Sequence, residues 1–256
     1  MTAQTVPTVP GFRRLDGITC ATVDGQSLGV WGFAGADGEQ RPGVVLLHGG
    51  GWKVGHPTAI MPLAASIAAH GIVALAVEYR LLGVAAWPAQ LDDARRAVAW
   101  ARGEAASLGI DASRLAVAGG SAGGQLAALV ALAAGDPDPT RHRVAAAVLY
   151  NPVVDLRTIR GRGPLVGTEA ADDPNAIAAA SPIDHVNAQA PPICTRVGDR
   201  DETTPAEGCA AFHRALDAAG VPNELEVVQG AGHGLPVNDP EGCADATARF
   251  LERHLR

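Results

Sequence analysis

Short, continuous apolar runs separated by helical segments constrain the fold of this chain more than any other feature. The runs are Val44–Leu47, Ile72–Val77, Leu115–Ala118, Val144–Tyr150, Ile193–Val197 and Leu225–Val228. Such runs are typical of strands buried on both faces of a parallel sheet. Helical patterns are found over Pro88–Ser107, Ala122–Ala134, Pro205–Ala219 and Pro240–Leu255. This alternation predicts an α/β fold, with a doubly wound, mostly parallel sheet and helices on both faces.

Two regions depart from the alternation. Residues 17–34 read as a β-hairpin with its turn near Asp24 and Gly25, which predicts an antiparallel edge to the sheet. Residues 151–190 are rich in Gly, Pro, Asp and Arg without a period, and a connection of this length is usually a lid or binding loop. We therefore predict one α/β domain over residues 1–256, with a small, partial lid at 151–190.

The stretch Gly119–Gly123 matches the pattern G-x-S-x-G, directly after an apolar run and directly before a predicted helix. In that context the small flanking residues allow a tight, strained turn that raises the serine hydroxyl above the sheet. The serine also lies at a helix N-terminus, whose partial positive charge favours a developing anion. The alternative is a glycine-rich turn with a structural role. The surrounding strand and helix and the additional Gly124 favour Ser121 as a nucleophile.

A second glycine cluster, His48-Gly49-Gly50-Gly51-Trp52, follows the first parallel strand. An acyl-transfer enzyme requires backbone N–H groups aimed at the tetrahedral oxyanion, and glycine permits the close approach this demands. We predict an oxyanion hole from the N–H groups of Gly50, Gly51 and Ala122. A phosphate-binding loop is the alternative, but the Lys-Ser/Thr pair of a P-loop is missing from this stretch.

The nucleophile requires a base. In hydrolases with this serine turn the chain order is serine, acid, histidine. His233 stands in the loop Gly230–Gly234 after the last apolar run, at the sheet edge where a site is expected. His213 and His254 fall on predicted helices and His142 in a charged run, while His185 in the lid segment is the second choice. We predict His233 as the base.

Three carboxylates follow the preceding strand and are candidates for the acid that orients His233. They are Asp199, Asp201 and Glu202, preferred in the order Asp201, Asp199, Glu202. Glu202 also suits the N-terminus of the following helix, where negative charge is favourable. Spacing alone does not separate Asp199 from Asp201.

Several stretches resemble the bacterial carboxylesterases of the α/β-hydrolase superfamily, close to the hormone-sensitive-lipase-like and the feruloyl or acetyl-xylan esterase-like groups. The resemblance covers about residues 40 to 250, with motifs at Glu78–Leu81, Trp87–Asp93, Gly109–Leu115, Gly120–Gly124 and Ala180–Asp184. In those families the acid takes the fourth place of a G-x-x-D turn, which here matches Gly198 and Asp201. The resemblance also implies that the HGGG glycines form the oxyanion hole.

This chain differs from the hormone-sensitive-lipase-like group in having only about 40 residues, with little helical pattern, before its HGGG strand. The difference favours a cap-poor architecture with a short, open pocket for acetyl to butyryl chains. Arg196 is also unexpected in an otherwise apolar strand. Trp52 and Trp87 are candidates to line the acyl pocket, and Arg80 to pair with Asp92 or Asp93.

The predicted function is a serine carboxylic-ester hydrolase that works through an acyl-enzyme and uses no metal or organic cofactor. An amide or formamide hydrolase, arylformamidase-like, would use the same triad. A non-catalytic binding protein on this fold is the alternative from a different class, but it predicts the loss of a triad residue or of the glycine donors.

The remaining composition concerns partners and location. The net charge of -7 argues against nucleic acid, because phosphate binding requires clustered Lys and Arg. Neither an apolar signal-like stretch nor a run long enough for a membrane span is found in the sequence. The four cysteines are too widely spaced for a zinc or dithiol motif. We expect a cytoplasmic enzyme with a small-molecule ester as its partner, and the sequence leaves room for a homodimer.

Overall fold

The computed structural model describes residues 8–133, 135–136, 138–159, 163–167 and 169–255. Within these ranges the chain forms one eight-stranded sheet in the order β1-β2-β4-β3-β5-β6-β7-β8. The strands are β1 (Phe12–Val23), β2 (Gln26–Gly35), β3 (Arg41–Leu47), β4 (Val73–Val77), β5 (Ile110–Gly120), β6 (Ala146–Tyr150), β7 (Ile193–Gly198) and β8 (Asn223–Val228). Neighbouring strands from β4 to β8 run parallel, as the continuous apolar runs predicted.

The predicted hairpin is confirmed and is longer than expected. Strands β1 and β2 pair antiparallel, and β2 continues the sheet by pairing antiparallel with β4. Asp24 and Gly25 both have positive φ angles, 52° and 80°. Tight hairpins favour two such residues, because this backbone twist matches the twist of the strands.

Helices cover both faces of the sheet, as predicted. In the described part of the chain they are α1 (Met61–Ala69), α2 (Ala89–Gly103), α3 (Ala105–Leu108), α4 (Ala122–Ala131), α5 (Gly163–Val166), α6 (Pro174–Ala179), α7 (Ala206–Ala218), α8 (Leu235–Asn238) and α9 (Pro240–His254). Short 3₁₀ turns lie at Pro57–Ile60, Pro139–Arg141, Leu156–Thr158 and Pro182–His185. The longest of the described helices, α2 and α9, have 15 residues each, and none of them is long and apolar enough to cross a bilayer.

Strands β3 to β7 each contribute buried residues to two cores, which explains why their predicted runs are mostly apolar. Val45 and Leu47 of β3 belong to a cluster with residues of α2, α4 and α7. Val44 and Leu46 point to the opposite face and pack with α1 and α9. Because successive side chains of a strand alternate between the two faces, a strand covered on both faces has no polar position.

The helices differ from the prediction at three points, the first being that the helix predicted over Pro88–Ser107 is divided at Glu104 into α2 and α3. Helix α1 was not predicted, because MPLAASIAA is apolar almost throughout and shows no amphipathic period. Helix α4 ends at Ala131, three residues before the predicted Ala134, which lies outside the described residues. Its last residues are followed by Ala133, which has a positive φ of 53° and ends the helical conformation.

The segment 151–190 packs mainly into the domain core. Six of its buried apolar residues join the cluster that contains α4, and they are Val153, Val154, Leu156, Leu165, Ile177 and Ala180. The backbone carbonyl of Ala180 accepts a hydrogen bond from the buried Gln125 side chain of α4 at 2.7 Å. Residues 160–162 and 168 of this segment lie outside the described residues. These residues anchor the described part of the segment to the core, and a partial lid at 151–190 stays a prediction.

Arg196, the unexpected charge in β7, has a structural explanation. Its guanidinium donates to Glu226 of β8 at 3.0 Å and to Asp239 at 2.7 Å. Asp239 lies between α8 and α9 and also caps α9 by accepting from the N–H of Gly242. The buried arginine thus connects β7 and the edge strand β8 to the junction of α8 and α9 through charge-assisted bonds.

Candidate active site

Ser121 lies between β5 and α4 in the strained turn that the sequence predicted. Its φ is 54° and its ψ is -119°, which is an unfavourable region for a residue with a side chain. The Ser121 N–H donates to the carbonyl oxygen of Tyr150 at 2.9 Å. A Cβ on Gly119 would lie 2.3 Å from the carbonyl oxygen of Gly123, and a Cβ on Gly123 would lie 2.2 Å from that of Leu47. The glycines are therefore required by the packing of the turn.

The structure brings together the three side chains predicted as a triad. His233 Nε2 lies 2.9 Å from Ser121 Oγ, and His233 Nδ1 lies 2.8 Å from Asp201 Oδ2. These residues stand in loops after β8, β5 and β7, at the carboxyl edge of the parallel sheet. A serine and a base within hydrogen-bond distance, with an acid on the base's second nitrogen, is the geometry of an activated nucleophile.

Asp201 is held as a buried carboxylate by several donors. The N–H groups of Thr203 and Thr204 both donate to Oδ1 at 2.9 Å. Oδ2 accepts from the Thr204 hydroxyl at 2.7 Å and from the Asn151 amide. Burial alone would raise the pKa of Asp201, but the hydrogen bonds from His233 and Thr204 outweigh it and lower the pKa to about 2. The acid is thus charged at any pH at which His233 can act as a base.

The other candidates from the sequence do not reach this site. Asp199 is exposed and accepts from the N–H of Gly230 at 2.7 Å, and Glu202 is exposed. His185 is half-buried, with its Nε2 3.2 Å from the carbonyl oxygen of Ala179. The geometry therefore distinguishes Asp201 from Asp199, which spacing alone left open.

The loop after β3 places its glycine N–H groups beside Ser121. Gly50 and Gly51 border the same cavity as the serine, and no hydrogen bond within the described residues uses the N–H of either one. Gly50 has a φ of 128°, and a Cβ there would lie 1.9 Å from the carbonyl oxygen of Val54. Ala122 begins α4, so its N–H has no partner inside the helix, and the Ser121 side chain does not cap it. These three groups are free to bind an oxyanion.

Two residues that the sequence analysis did not single out for a role support this loop. His48 Nδ1 donates to the carbonyl oxygen of Gly49 at 2.8 Å, and the hydroxyl of Tyr79 donates to that of His48 at 2.9 Å. The two rings stack with centroids 4.4 Å apart. Burial lowers the pKa of His48. The histidine of the HGGG motif therefore holds the loop in shape as a neutral ring.

An apolar cavity of about 440 Å³ opens beside Ser121 and His233. One wall is formed by the turn Pro57–Ile60 and α1, and the opposite wall by α8. Its lining residues away from the triad and the glycine loops are mostly apolar and include Leu46, Leu47, Ala59, Ile60, Leu63, Tyr150, Pro236 and Val237. No Lys, Arg, Asp or Glu is among the described residues that line it, so the cavity fits an uncharged group.

The prediction that Trp52 and Trp87 line the acyl pocket is wrong for this cavity, because neither borders it. Trp52 is only 4% exposed and lies in the core beneath the glycine loop. Its indole N–H is directed to Gln125 of α4 and away from the cavity. Trp87 precedes α2 and packs, partly buried, against the same core. Both aromatic side chains have packing roles.

Asn151, which directly follows the predicted strand Val144–Tyr150, was missed as a site residue. It has a φ of 45°, borders the cavity and donates to Asp201. Of the described residues in 151–190 it is the one that lines this cavity. The signal available in the sequence was an Asn at the carboxyl end of a central parallel strand, where functional side chains collect.

The sheet order, the strained serine turn and the chain order Ser121, Asp201, His233 define an α/β hydrolase. The BD-FAE family profile matches residues 34–216, and the chain belongs to that family.

Solved structures with the same fold include esterase 2 from the planctomycete Thermogutta terrifontis. The butyrate-bound structure has a TM-score of 0.79 and 29% sequence identity, and the match covers 96% of this chain and 95% of that one. The structure phosphorylated by paraoxon has a TM-score of 0.78 and 30% identity, over 98% of this chain and 96% of that one.

Curated relatives are also esterases. Esterase LipQ of Mycobacterium tuberculosis is 32% identical over 201 residues, which is 72% of this chain and 48% of LipQ. Ethyl acetate hydrolase of Pseudomonas putida is 32% identical over 241 residues, which is 83% of this chain and 73% of that protein. The chain thus spans about half the length of LipQ and almost three quarters of ethyl acetate hydrolase.

Proposed function

We propose that this protein hydrolyses carboxylic esters with short acyl chains through a covalent acyl-enzyme on Ser121. The observation that supports this most strongly is the position of His233, with one ring nitrogen 2.9 Å from Ser121 Oγ and the other 2.8 Å from Asp201 Oδ2. This arrangement, beside an uncharged cavity and unpaired backbone N–H groups, provides the groups required for acyl transfer.

In the first half of the reaction, His233 Nε2 removes the proton of Ser121 as Oγ attacks the ester carbonyl carbon. Asp201 stabilises the imidazolium that forms and keeps Nδ1 protonated toward itself. The negative charge moves to the carbonyl oxygen, where the N–H groups of Gly50, Gly51 and Ala122 receive it. When this intermediate collapses, His233 gives its proton to the departing alcohol, and the acyl group stays on Ser121.

In the second half, His233 activates a water molecule that attacks the acyl-enzyme. The same N–H groups hold the second oxyanion, and collapse releases the carboxylic acid and returns the proton to Ser121. Every proton in the cycle passes through His233, and each oxyanion is held between the glycine loop and the N-terminus of α4.

The cavity and the relatives both support small, uncharged substrates. The described residues that form the cavity walls include no Lys, Arg, Asp or Glu. Ethyl acetate hydrolase is named for an acetyl ester, and the Thermogutta terrifontis structures hold butyrate or propionate. We therefore propose acetyl to butyryl esters as the preferred substrates. The cytoplasmic location and the homodimer stay predictions from the sequence.

The first test compares hydrolysis of p-nitrophenyl acetate, butyrate and octanoate by the wild type and by Ser121→Ala, with folding matched by circular dichroism. We expect kcat/KM to be highest for the two shorter esters and activity to be lost in Ser121→Ala. A kcat/KM that is highest for octanoate, followed by a preference for about ten carbons or more when p-nitrophenyl decanoate is added to the series, would contradict the short-chain proposal.

A second test examines the nucleophile without an ester. Paraoxon phosphorylates the Thermogutta terrifontis esterase, and we expect a diethylphosphoryl adduct on the peptide that contains Ser121 and none in Ser121→Ala. A wild type that is labelled by paraoxon but inactive on all three esters would redirect the proposal to an amide or formamide substrate. A wild type that is neither labelled nor active would favour the binding-protein alternative.

A further inference from the structure

We infer that Asn151 is a positioning residue that holds the loops of the triad in register, a role that rests on the proposed function. It stands directly after β6. In the sheet, β6 lies between β5, which leads into the serine turn, and β7, which leads into the loop of the acid. Asn151 is 1% exposed and belongs to none of the triad loops. Its side chain nevertheless contacts both the loop of the acid and the loop of the base.

The side-chain amide joins the acid to the histidine loop. Nδ2 donates to Asp201 Oδ2 and lies 3.5 Å from the carbonyl oxygen of Gly232. Oδ1 accepts from the N–H of Leu235 at 3.2 Å. Gly232 and Leu235 flank His233, so one amide group contacts the chain on both sides of the base and the carboxylate that orients it.

The backbone around Asn151 is fixed as well. Its N–H donates to the carbonyl oxygen of Arg196 in β7 at 2.9 Å, and its carbonyl oxygen lies 3.0 Å from the Thr204 hydroxyl, which donates to Asp201. The preceding residue, Tyr150, accepts from the N–H of Ser121 at 2.9 Å. The residues Tyr150 and Asn151 therefore contact all three triad loops.

Two properties make asparagine suitable here. Its φ of 45° lies in the left-handed region, which asparagine tolerates better than most residues with a side chain. Its amide also supplies a donor and an acceptor at the same time. Glycine at this position would allow the positive φ but would have no hydrogen-bonding side chain. Aspartate would supply a side-chain donor only when its carboxyl group is protonated. These two replacements therefore separate conformation from hydrogen bonding.

The experiment measures kcat and KM for p-nitrophenyl acetate between about pH 5 and 9 for the wild type, Asn151→Gly and Asn151→Asp, with folding checked by thermal unfolding. We expect Asn151→Gly to lower kcat by roughly 10- to 100-fold at every pH, with KM changed less than about threefold, because a donor to a charged group is lost.

Asn151→Asp should show a different pH dependence. At low pH the introduced carboxyl is protonated and donates to Asp201 as the amide does, so kcat should approach the wild-type value. At higher pH it ionises beside Asp201, where two carboxylates repel each other, and the added charge favours a protonated His233 that cannot act as a base. The ratio of variant to wild-type kcat should therefore fall as pH rises.

Two results would overturn the inference. One is an Asn151→Gly enzyme that is folded and within about twofold of the wild-type kcat, since a lost donor to a charged group should cost more. The other is an Asn151→Asp enzyme whose kcat follows that of Asn151→Gly at every pH, which would indicate a structural role alone. If Asn151→Gly fails to fold, the pH dependence of Asn151→Asp decides the question.

The failure of this inference can be distinguished from a failure of the proposed ester hydrolysis. If the wild type is inactive on esters, the rate at which paraoxon labels Ser121 replaces kcat. Slower labelling of Asn151→Gly than of the wild type then supports the positioning role, and equal rates contradict it.

Discussion

The indole Nε1–H of Trp52 donates to Oε1 of Gln125 at 3.0 Å, and this bond connects the glycine loop after β3 to the helix that begins at the nucleophile. Gln125 is completely buried and donates in turn to the carbonyl oxygen of Ala180. Trp52 itself has a φ of 61°, so the loop turns sharply at this residue. These buried hydrogen bonds in the core therefore help to set the distance between the oxyanion donors and Ser121.

Replacing Trp52 should therefore affect both stability and catalysis. Trp52→Phe keeps an aromatic ring but leaves Oε1 of Gln125 buried without its donor, which should lower the free energy of unfolding by about 1–3 kcal/mol. We also expect a lower kcat, because the glycine donors lose their support. The control is Trp87→Phe, since the Trp87 indole N–H makes no hydrogen bond within the described residues. Urea unfolding measures the stability of the two variants, and ester hydrolysis measures their kcat. Equal effects of Trp52→Phe and Trp87→Phe would contradict the prediction.

The two glycines of the oxyanion loop should differ sharply in their tolerance of a side chain. A Cβ on Gly50 would lie 1.9 Å from the carbonyl oxygen of Val54, whereas a Cβ on Gly51 would meet no atom within 4 Å. We expect Gly50→Ala to lower kcat by at least about 100-fold, the effect of losing one oxyanion donor. Gly51 has a φ of 58°, which strains an alanine, so Gly51→Ala should lower the free energy of unfolding by only about 1–2 kcal/mol. Similar kcat values for the two variants would show that the loop adapts.

Much of the fold could be predicted because the responsible signals are local. Parallel strands contain continuous apolar runs, such as Val44–Leu47 in β3, and the hairpin turn at Asp24 and Gly25 requires residues that accept positive φ. The serine turn was equally clear, since its glycines are packed against backbone atoms. Each of these features is determined by a few residues that are adjacent in sequence.

The unpredicted features depend on contacts between distant parts of the chain. Trp52 was assigned to the pocket because nothing in the sequence shows that its indole faces Gln125, 73 residues away. Asn151 was missed because its role arises from loops 50 and 84 residues further along. Helix α1 escaped detection because a helix covered on nearly all sides has no polar face. Tertiary packing determines these cases.

The ion pair of Arg80 and Asp93 should contribute strongly to the free energy of unfolding and have little effect on kcat. The guanidinium makes two side-chain bonds to Asp93, whose side chain is fully buried, at 2.7 and 3.1 Å. Arg80→Leu leaves this carboxylate with Arg96 as its remaining cation, and should lower the free energy of unfolding by about 3–5 kcal/mol. Arg14→Leu breaks an exposed pair and should cost less than about 1 kcal/mol. The kcat of both folded variants should stay within about twofold of the wild type.

Kinetics should distinguish the two neighbouring aspartates. Asp201→Asn removes the carboxylate that orients His233, and a comparable loss in serine hydrolases lowers kcat by roughly 10⁴-fold. Asp199→Asn changes an exposed side chain bonded to the N–H of Gly230, and kcat should fall by less than about threefold. Steady-state hydrolysis of p-nitrophenyl acetate measures both. Large losses in both variants would mean that the Asp199 loop also sets the position of the base.

The lowered pKa of Asp201 leads to a prediction about stability at acid pH. Its folded pKa is about 2, below the ordinary value of 3.8, so the folded state binds the proton less readily than the unfolded chain. The carboxylate therefore adds stability, about 2 kcal/mol, that is complete well above pH 3.8 and is lost as pH falls toward 2. Asp201→Asn has no such group. The difference in free energy of unfolding between wild type and this variant should shrink as pH falls from about 6 to 3.

The measurement is urea unfolding at several pH values, with Asp199→Asn as the matched control. Asp199 is exposed, so its replacement should change the free energy of unfolding by less than about 0.5 kcal/mol throughout. A gap between wild type and Asp201→Asn that stays constant down to pH 3 would contradict the prediction. It would mean that the Asp201 carboxylate gains no net stabilisation from His233 and Thr204, and that its five hydrogen bonds serve only to fix its position.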